Sequence, residues 1–110
     1  MSSHVEFPGY EAVMQRLIAA DNTETWINNF YPKLARKLAG RRNLEGEGVV
    51  SILAVEICTF TDPAGIVPDH NWRVILVQHL DTFLVALIGD NAEALTAARI
   101  HARKLPWPSA

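Results

Sequence analysis

The segment NWRVILVQHLDTFLVALIGDN, residues 71–91, decides the fold that this chain of 110 residues is expected to adopt. At 100° per residue, its large apolar side chains between positions 72 and 88 fall within one arc of about 160°. Strand-like alternation fails in the same window, because residues 83–88 are apolar at every position. The segment therefore predicts one long helix, from 72 to 88, at the centre of a hydrophobic core.

The same segment is the strongest candidate for a membrane span, but its composition argues against one. A span needs about 20 nearly uninterrupted apolar residues, and the longest clean run here is 83–88. Asp81 would lie near the middle of the bilayer, where a charge is costly. The N-terminus also lacks the basic and apolar regions of a secretory signal. We expect no membrane span and a cytoplasmic location.

Other segments also have helical periodicity. Apolar residues recur at helical spacing in 10–18 and 26–38, and an alanine-rich pattern covers 91–105. Pro32 interrupts the second pattern and predicts a kink or a split into two short helices. Asp90 and Glu93 form a capping-box-like start for the last helix.

The segment VVSILAVEICTF, residues 49–60, allows two interpretations. Its β-branched residues favour a strand, whereas its length favours a helix. A lone strand would have no partner, because no other stretch alternates convincingly, so a helix is expected. The fold is predicted to be all-α, a compact bundle of about five helices. The alternative is α+β, with 49–60 as a strand. One domain, 1–110, would carry an N-terminal arm at 1–8 and an extended C-terminal tail at 106–110.

The motifs for catalysis and metal binding are weak. His79 and Asp81 are two residues apart, so on one helix they point in nearly opposite directions and form no pair. His79 should border the core and bond locally, with Asp81 in solvent. No histidines are spaced four apart and no HExxH motif occurs, so no metal site or cofactor is predicted. Cys58, within an apolar run, is expected to be buried and inert.

Glu56 is the only charge between Gly48 and Asp62. If it is buried, it needs a partner or a proton, because an isolated buried charge is very costly. The favoured interpretation places it at a solvated helix edge or in a structural ion pair with an arginine. A functional acid is the alternative.

The most distinctive feature of the sequence is the separation of basic and acidic residues into different stretches. Residues 33–42 contain five cations and no acid, residues 99–104 form a second basic stretch, and residues 43–70 contain five acids and no lysine or arginine. The net charge of −2 gives the whole molecule no attraction to nucleic acid. A basic face could contact phosphates, an acidic protein, or the acidic segment of a second copy.

The large number of apolar residues also indicates a binding surface. They make up 49% of the chain, and every expected helix has a wide apolar stripe. Surplus apolar surface on a small protein commonly marks a partner site or a homo-oligomer interface. The patch would lie near Trp107 or Trp72.

Three functional hypotheses follow. The first is a small soluble protein-interaction module (an adaptor, inhibitor or assembly subunit) that acts by binding and occlusion; its partner would be a protein or a second copy. The alternative is a nucleic-acid-binding protein that uses 33–42 and 99–104. A second alternative is a small enzyme with a pocket near Glu56, His70 or His79. The sequence favours binding over catalysis and indicates no small-molecule ligand. The predicted binding residues are Lys33, Arg36, Lys37, Arg41, Arg42, Arg103, Lys104 and Trp107.

Overall fold

The computed structural model describes residues 4–20 and 29–109. Within these ranges the fold is all-α, as predicted, with a single two-stranded ladder. The ladder pairs β1 (His4–Val5) with β2 (Leu44–Glu45) in antiparallel fashion. The helices are α1 (Tyr10–Ala20), α2 (Phe30–Leu38), α3 (Gly46–Cys58), α4 (Asp69–Gln78), α5 (Leu80–Ile88) and α6 (Ala92–Ala102). The segment 49–60 is therefore mainly helical, and its interpretation as a strand is wrong.

The expected single helix over 72–88 is also wrong, because it breaks at His79. Nδ1 of His79 lies 2.9 Å from the carbonyl oxygen of Ile75, which would otherwise accept the backbone N–H of His79. That N–H bonds instead to Leu76, three residues back. A side chain that competes for a backbone carbonyl in this way weakens the helix at that point and favours a bend. The two helices consequently meet at a bend of 56°. His79 does bond locally, as expected.

No described helix is by itself long and apolar enough to cross a membrane, and α4 and α5 reach that length and composition only as a bent pair.

Pro32 lies in the first turn of α2 and does not interrupt the described part of that helix, whereas the predicted split of the 26–38 pattern involves residues 26–28, which lie outside the described residues. Asn29 precedes the helix, so Pro32 is its third residue. Backbone N–H groups in the first turn have no intrahelical acceptor, so proline removes no bond there. The described part of the helix is unbroken, while Trp26 and Ile27, which were expected to precede it, lie outside the described residues.

The core is built mainly around α3 and α5. Helix α3 packs against α2, α4, α5 and most extensively α6, whereas α5 packs against α1, α3, α4 and α6. Aromatic rings from α2, α4, α5 and the segment just after α3 join them, with ring centroids 5.5–6.1 Å apart, a range in which aromatic pairs attract. These rings belong to Phe30, Tyr31, Phe60, Trp72 and Phe83.

Small residues allow α3 and α6 to approach closely. Ala94, Ala98 and Ala102 form one buried stripe along α6, as its alanine-rich sequence suggested. Gly46 is buried against this stripe, and a methyl group at that position would clash with the carbonyl group of Ala94. Asn91 begins α6, because its side chain accepts a hydrogen bond from the backbone N–H of Ala94. The expected capping residue, Asp90, is one position too early.

The segment assigned to an N-terminal arm is integrated into the fold from His4 onward. Beyond the β1–β2 ladder, the N–H of Phe7 donates to Arg41 and the N–H of Gly40 donates to Pro8. Val5 and Phe7 lie in the core, at 6% and 4% exposure. The start of the chain therefore fixes the connection between α2 and α3.

Asp62 organises the linker between α3 and α4. Its backbone carbonyl accepts from the N–H of Gly65, three residues further along, and this bond closes a β-turn. Its carboxylate accepts hydrogen bonds from the N–H groups of Val67 and Ala64 and from the indole of Trp72. These bonds, led by the one from Val67, hold the pKa of Asp62 below its ordinary value of 3.8 although partial desolvation opposes them.

We predict that Gly46→Ala lowers the free energy of unfolding by about 1–3 kcal/mol, the usual effect of overpacking. The added methyl group meets rigid backbone, with the Ala98 nitrogen at 3.2 Å. The control is Gly48→Ala in the same helix, where the methyl would meet only the side chain of Leu44, which can rotate. Urea unfolding measures both variants. Equal losses of stability would contradict the role assigned to Gly46.

We also predict that Asp62 stabilises the fold in a pH-dependent way. Because its pKa is lowered by folding, its contribution is present above about pH 5. It declines as the pH falls through 3.8 towards the lower folded pKa. Asp62→Asn should therefore be less stable than wild type at pH 7, and the difference should shrink in acid. Asp90→Asn, at an exposed aspartate, is the control. A difference from wild type that stays constant between pH 7 and strong acid would refute the prediction.

Candidate functional site

Helix α3 leaves one side open to solvent. Its residues Ser51, Val55 and Cys58 are exposed and follow helical spacing, so they form one strip, here called the α3 face. Val55 is 58% exposed, which is high for an apolar side chain in the middle of a helix. Cys58 was expected to be buried, and this is wrong, because its position one turn beyond Val55 places it on the open side.

A groove between α2 and α3 borders this face on one side. We call it the α2–α3 groove. Its volume is about 260 Å³. Arg41 is positioned by a hydrogen bond from its Nε to the carbonyl of Lys37, at the end of α2. The groove therefore has a cationic rim beside an apolar wall. Its lining residues are Lys37, Arg41, Ser51, Ile52, Val55 and Glu56.

A second, almost wholly apolar groove borders the same face and is formed by the C-terminal tail. We call it the tail groove, and its volume is about 250 Å³. The indole N–H of Trp107 donates to the carbonyl of Ala102 at 2.7 Å, which folds the tail back onto the end of α6. Val55 lines both grooves, so they adjoin each other across this residue. The tail groove is lined by Ala54, Val55, Cys58, Leu105, Pro106 and Trp107.

The structure thus brings three of the predicted binding residues, Lys37, Arg41 and Trp107, to the two sides of Val55. Lys104 lies in a third groove, between α3 and α6, with Glu47 and the half-exposed Ile100. Lys33 is exposed one helical turn before Lys37 on α2.

The other predicted cations do not join this surface. Arg36 lies over the ring of Tyr10, 6.0 Å from its centroid, and Arg103 lines a groove between α5 and α6. Arg42 is exposed but lines none of the four grooves. Trp72, the other tryptophan proposed for the patch, is buried in the core at 9% exposure.

The second basic stretch is also partly neutralised. Arg99 donates two hydrogen bonds, of 2.7 and 2.9 Å, to the carboxylate of Asp81. These bonds lower the pKa of Asp81 and raise the pKa of Arg99. Asp81 is exposed, as expected, but it is paired. Arg99 is therefore less available to an external anion than the sequence implied.

Glu56 is buried, with 8% of its surface exposed, so the expected edge position is wrong. The expected ion pair is not formed either, since no described lysine or arginine lies within 4.0 Å of its carboxylate. Glu56 lines the α2–α3 groove, which gives its carboxylate access to solvent.

The residues proposed for an enzyme pocket are not assembled. None of the four grooves is lined by more than one of Glu56, His70 and His79. His70 instead lies 3.1 Å from the carbonyl oxygen of Ser109, in the tail. Within residues 4–20 and 29–109, no group of three or more potential ligands could hold a metal ion.

No family model, curated protein or solved structure matches this chain. Its function must therefore be argued from its own residues.

Sequence reasoning missed the residues at the centre of this surface, Val55 and Ile52. A signal was present, because segment 49–60 is apolar on nearly all sides of a helix and a bundle buries only part of a helix. Which side of α3 stays exposed depends on where α2 and α6 pack against it, and the sequence of the segment alone does not determine that packing.

We predict that the thiol of Cys58 reacts completely with a thiol-specific reagent in the native protein. The reason is its exposure beside the tail groove. The reaction with Ellman's reagent should proceed at a rate close to that in urea, where the thiol is fully accessible. A native rate slower by about a hundredfold or more, as for a buried thiol that reacts only after rare opening, would disprove the exposure.

Proposed function

We propose that this chain is a protein-interaction module that binds an acidic amphipathic helix of another protein on its α3 face. The observation that carries the proposal is the position of Val55. It is exposed at the junction of a groove with a cationic rim and an apolar groove that contains Trp107.

The energetics assign different roles to the two grooves. Covering a valine completely contributes at most about 1.5–3 kcal/mol, whereas an exposed ion pair contributes about 0–1 kcal/mol. Affinity would therefore come mainly from the apolar residues Val55, Ile52 and Trp107. The cations Lys37 and Arg41 would set the orientation of the partner and favour acidic sequences, as interface charges usually do.

A protein fits this surface better than a nucleic acid. Arg99, in the second basic stretch, is already paired with Asp81. The cations of the two basic stretches are also divided among different grooves, so they offer no single continuous track. Nucleic-acid binding depends on several phosphate contacts made together.

A second copy of the chain is also a weaker occupant. The acidic segment 43–70 was the expected complement, but several of its carboxylates are used within the fold. Asp62 accepts three hydrogen bonds, Asp69 accepts one from the backbone of Asp62, and Glu45 lies 3.7 Å from His4. A different protein with a free acidic helix is the better complement.

We predict that Val55→Asp abolishes partner binding without unfolding the protein, because the change places a charge on surface that is already exposed. Wild type and variant would be compared by affinity capture from native lysate, with a photo-crosslinker attached to Cys58 to identify chains that contact the α3 face. The matched control is Val85→Asp, since Val85 is a 45% exposed valine on α5 that lines none of the four grooves.

The proposal requires that a crosslinked partner is lost with Val55→Asp, is retained with Val85→Asp, and binds less well when Lys37 and Arg41 are both changed to Glu. A partner captured equally by both valine variants would refute it. So would a dimer, measured by mass in solution, that Val55→Asp dissociates, because the occupant would then be a second copy. Salt-sensitive binding of a mixed-sequence oligonucleotide, weakened by charge reversal at Arg41 and Arg42, would favour the nucleic-acid alternative.

A further inference from the structure

Glu56 is a buried acidic residue, and the proposed docking of a helix on the α3 face does not by itself explain why it is there. It is the only buried charged side chain among the described residues. The two nearest hydroxyl groups along α3 bond elsewhere, because Ser51 donates to the carbonyl of Glu47 and Thr59 donates to the carbonyl of Val55. Among the described residues, the carboxylate therefore accepts no hydrogen bond, and its oxygens remain open to an external donor.

The geometry directs this carboxylate into the α2–α3 groove, which Glu56 lines. Its oxygens are not sealed from solvent, because the fully buried side-chain atom without a hydrogen-bond partner among the described residues is Nε of Arg73. Neither Lys37 nor Arg41, on the same groove, comes within ion-pair distance, and the Nε of Arg41 is held by a backbone carbonyl. An acceptor that the fold leaves open inside a groove is available to a ligand.

The dimensions and charges of the groove restrict that ligand. At about 260 Å³, the groove lies below the usual range of small-molecule pockets, about 300–1,000 Å³, and suits a single side chain. A lysine or arginine of the partner would be repelled by Lys37 and Arg41. A carboxylate would be repelled by Glu56. An uncharged hydrogen-bond donor meets neither obstacle.

We infer that the α2–α3 groove is a specificity pocket, in which Glu56 accepts a hydrogen bond from an uncharged donor side chain (Asn, Gln, Ser or Thr) of the bound helix. Acidic residues of the same helix flank this donor and pair with Lys37 and Arg41. This inference rests on the proposed function and adds to it a recognition rule. Glu56 rejects an acidic residue at one position of an otherwise acidic helix.

A display library of helical peptides with 15 varied positions tests the rule. Peptides enriched on wild type should have an uncharged donor at one position and acids around it. At that position, replacing the donor with Glu should weaken binding about tenfold or more, because two carboxylates then face each other. On Glu56→Gln, whose amide can also donate, this preference should disappear. Glu47→Gln, a matched change of an acid on the same helix in another groove, should leave it intact.

Stability separates this role from a structural one. Because Glu56 has no hydrogen-bond or ion-pair partner in residues 4–20 and 29–109, the melting temperature of Glu56→Gln should not fall below that of wild type. A clear fall would assign Glu56 to folding and overturn the inference.

The outcomes also separate the inference from the proposed function. If peptides bind and Val55→Asp abolishes their binding, but donor and acid are tolerated equally at every position, the proposed function stands and the inference fails. Enrichment of lysine or arginine at the pocket position would likewise overturn it. If Val55→Asp leaves peptide binding unchanged, or no peptide binds, both fail.

Discussion

The close contact between α3 and α6 is the constraint on which the other features depend. It exists because Gly46 has no side chain and faces the backbone of α6 at Ala94 and Ala98. Two helices with small residues at their contact approach more closely than helices with larger side chains between them. The contact fixes the rotation of α3 about its own axis, and so determines that Val55 and Cys58 face solvent. The α3 face is therefore a consequence of packing at the start of the helix.

The N-terminal segment reinforces this arrangement from the other direction. The side-chain amide of Asn91 donates to the carbonyl of His4, while its oxygen caps α6. One residue thus links the start of α6 to the ladder that holds the α2–α3 connection. The rim of the α2–α3 groove, at Lys37 and Arg41, lies at the end of α2 next to this connection. The hydrogen bonds that hold the α2–α3 connection in place therefore also help to position the rim of the α2–α3 groove.

How much the sequence could predict depends on the range of the forces involved. Periodicity located α1 and α6, because helical spacing is a local signal. Most of α3 was predicted instead from the length of segment 49–60 and from the lack of a partner strand. Periodicity failed to predict the break at His79, where one ring nitrogen competes for the carbonyl of Ile75. The spacing of apolar residues contains no information about that hydrogen bond. It also failed for Glu56 and Cys58, both in a helix that is apolar on nearly all sides. Their exposure depends on which neighbours cover α3, and that is a property of the tertiary packing. Charge clustering drew attention to Lys37 and Arg41, which line the α2–α3 groove, but it did not predict how the remaining cations would be dispersed.

Glu56 and Asp62 carry the same chemical group, a carboxylate, but have different roles in this fold. Both are carboxylates in or next to α3. Asp62 accepts three hydrogen bonds from its own chain, and these lower its pKa and stabilise the linker. Glu56 is more deeply buried yet accepts none from the described residues. Since the fold supplies several donors to the half-buried Asp62, the open acceptor positions of Glu56 are a local feature of the α2–α3 groove. In the proposed complex, a donor of the bound helix replaces water at this carboxylate.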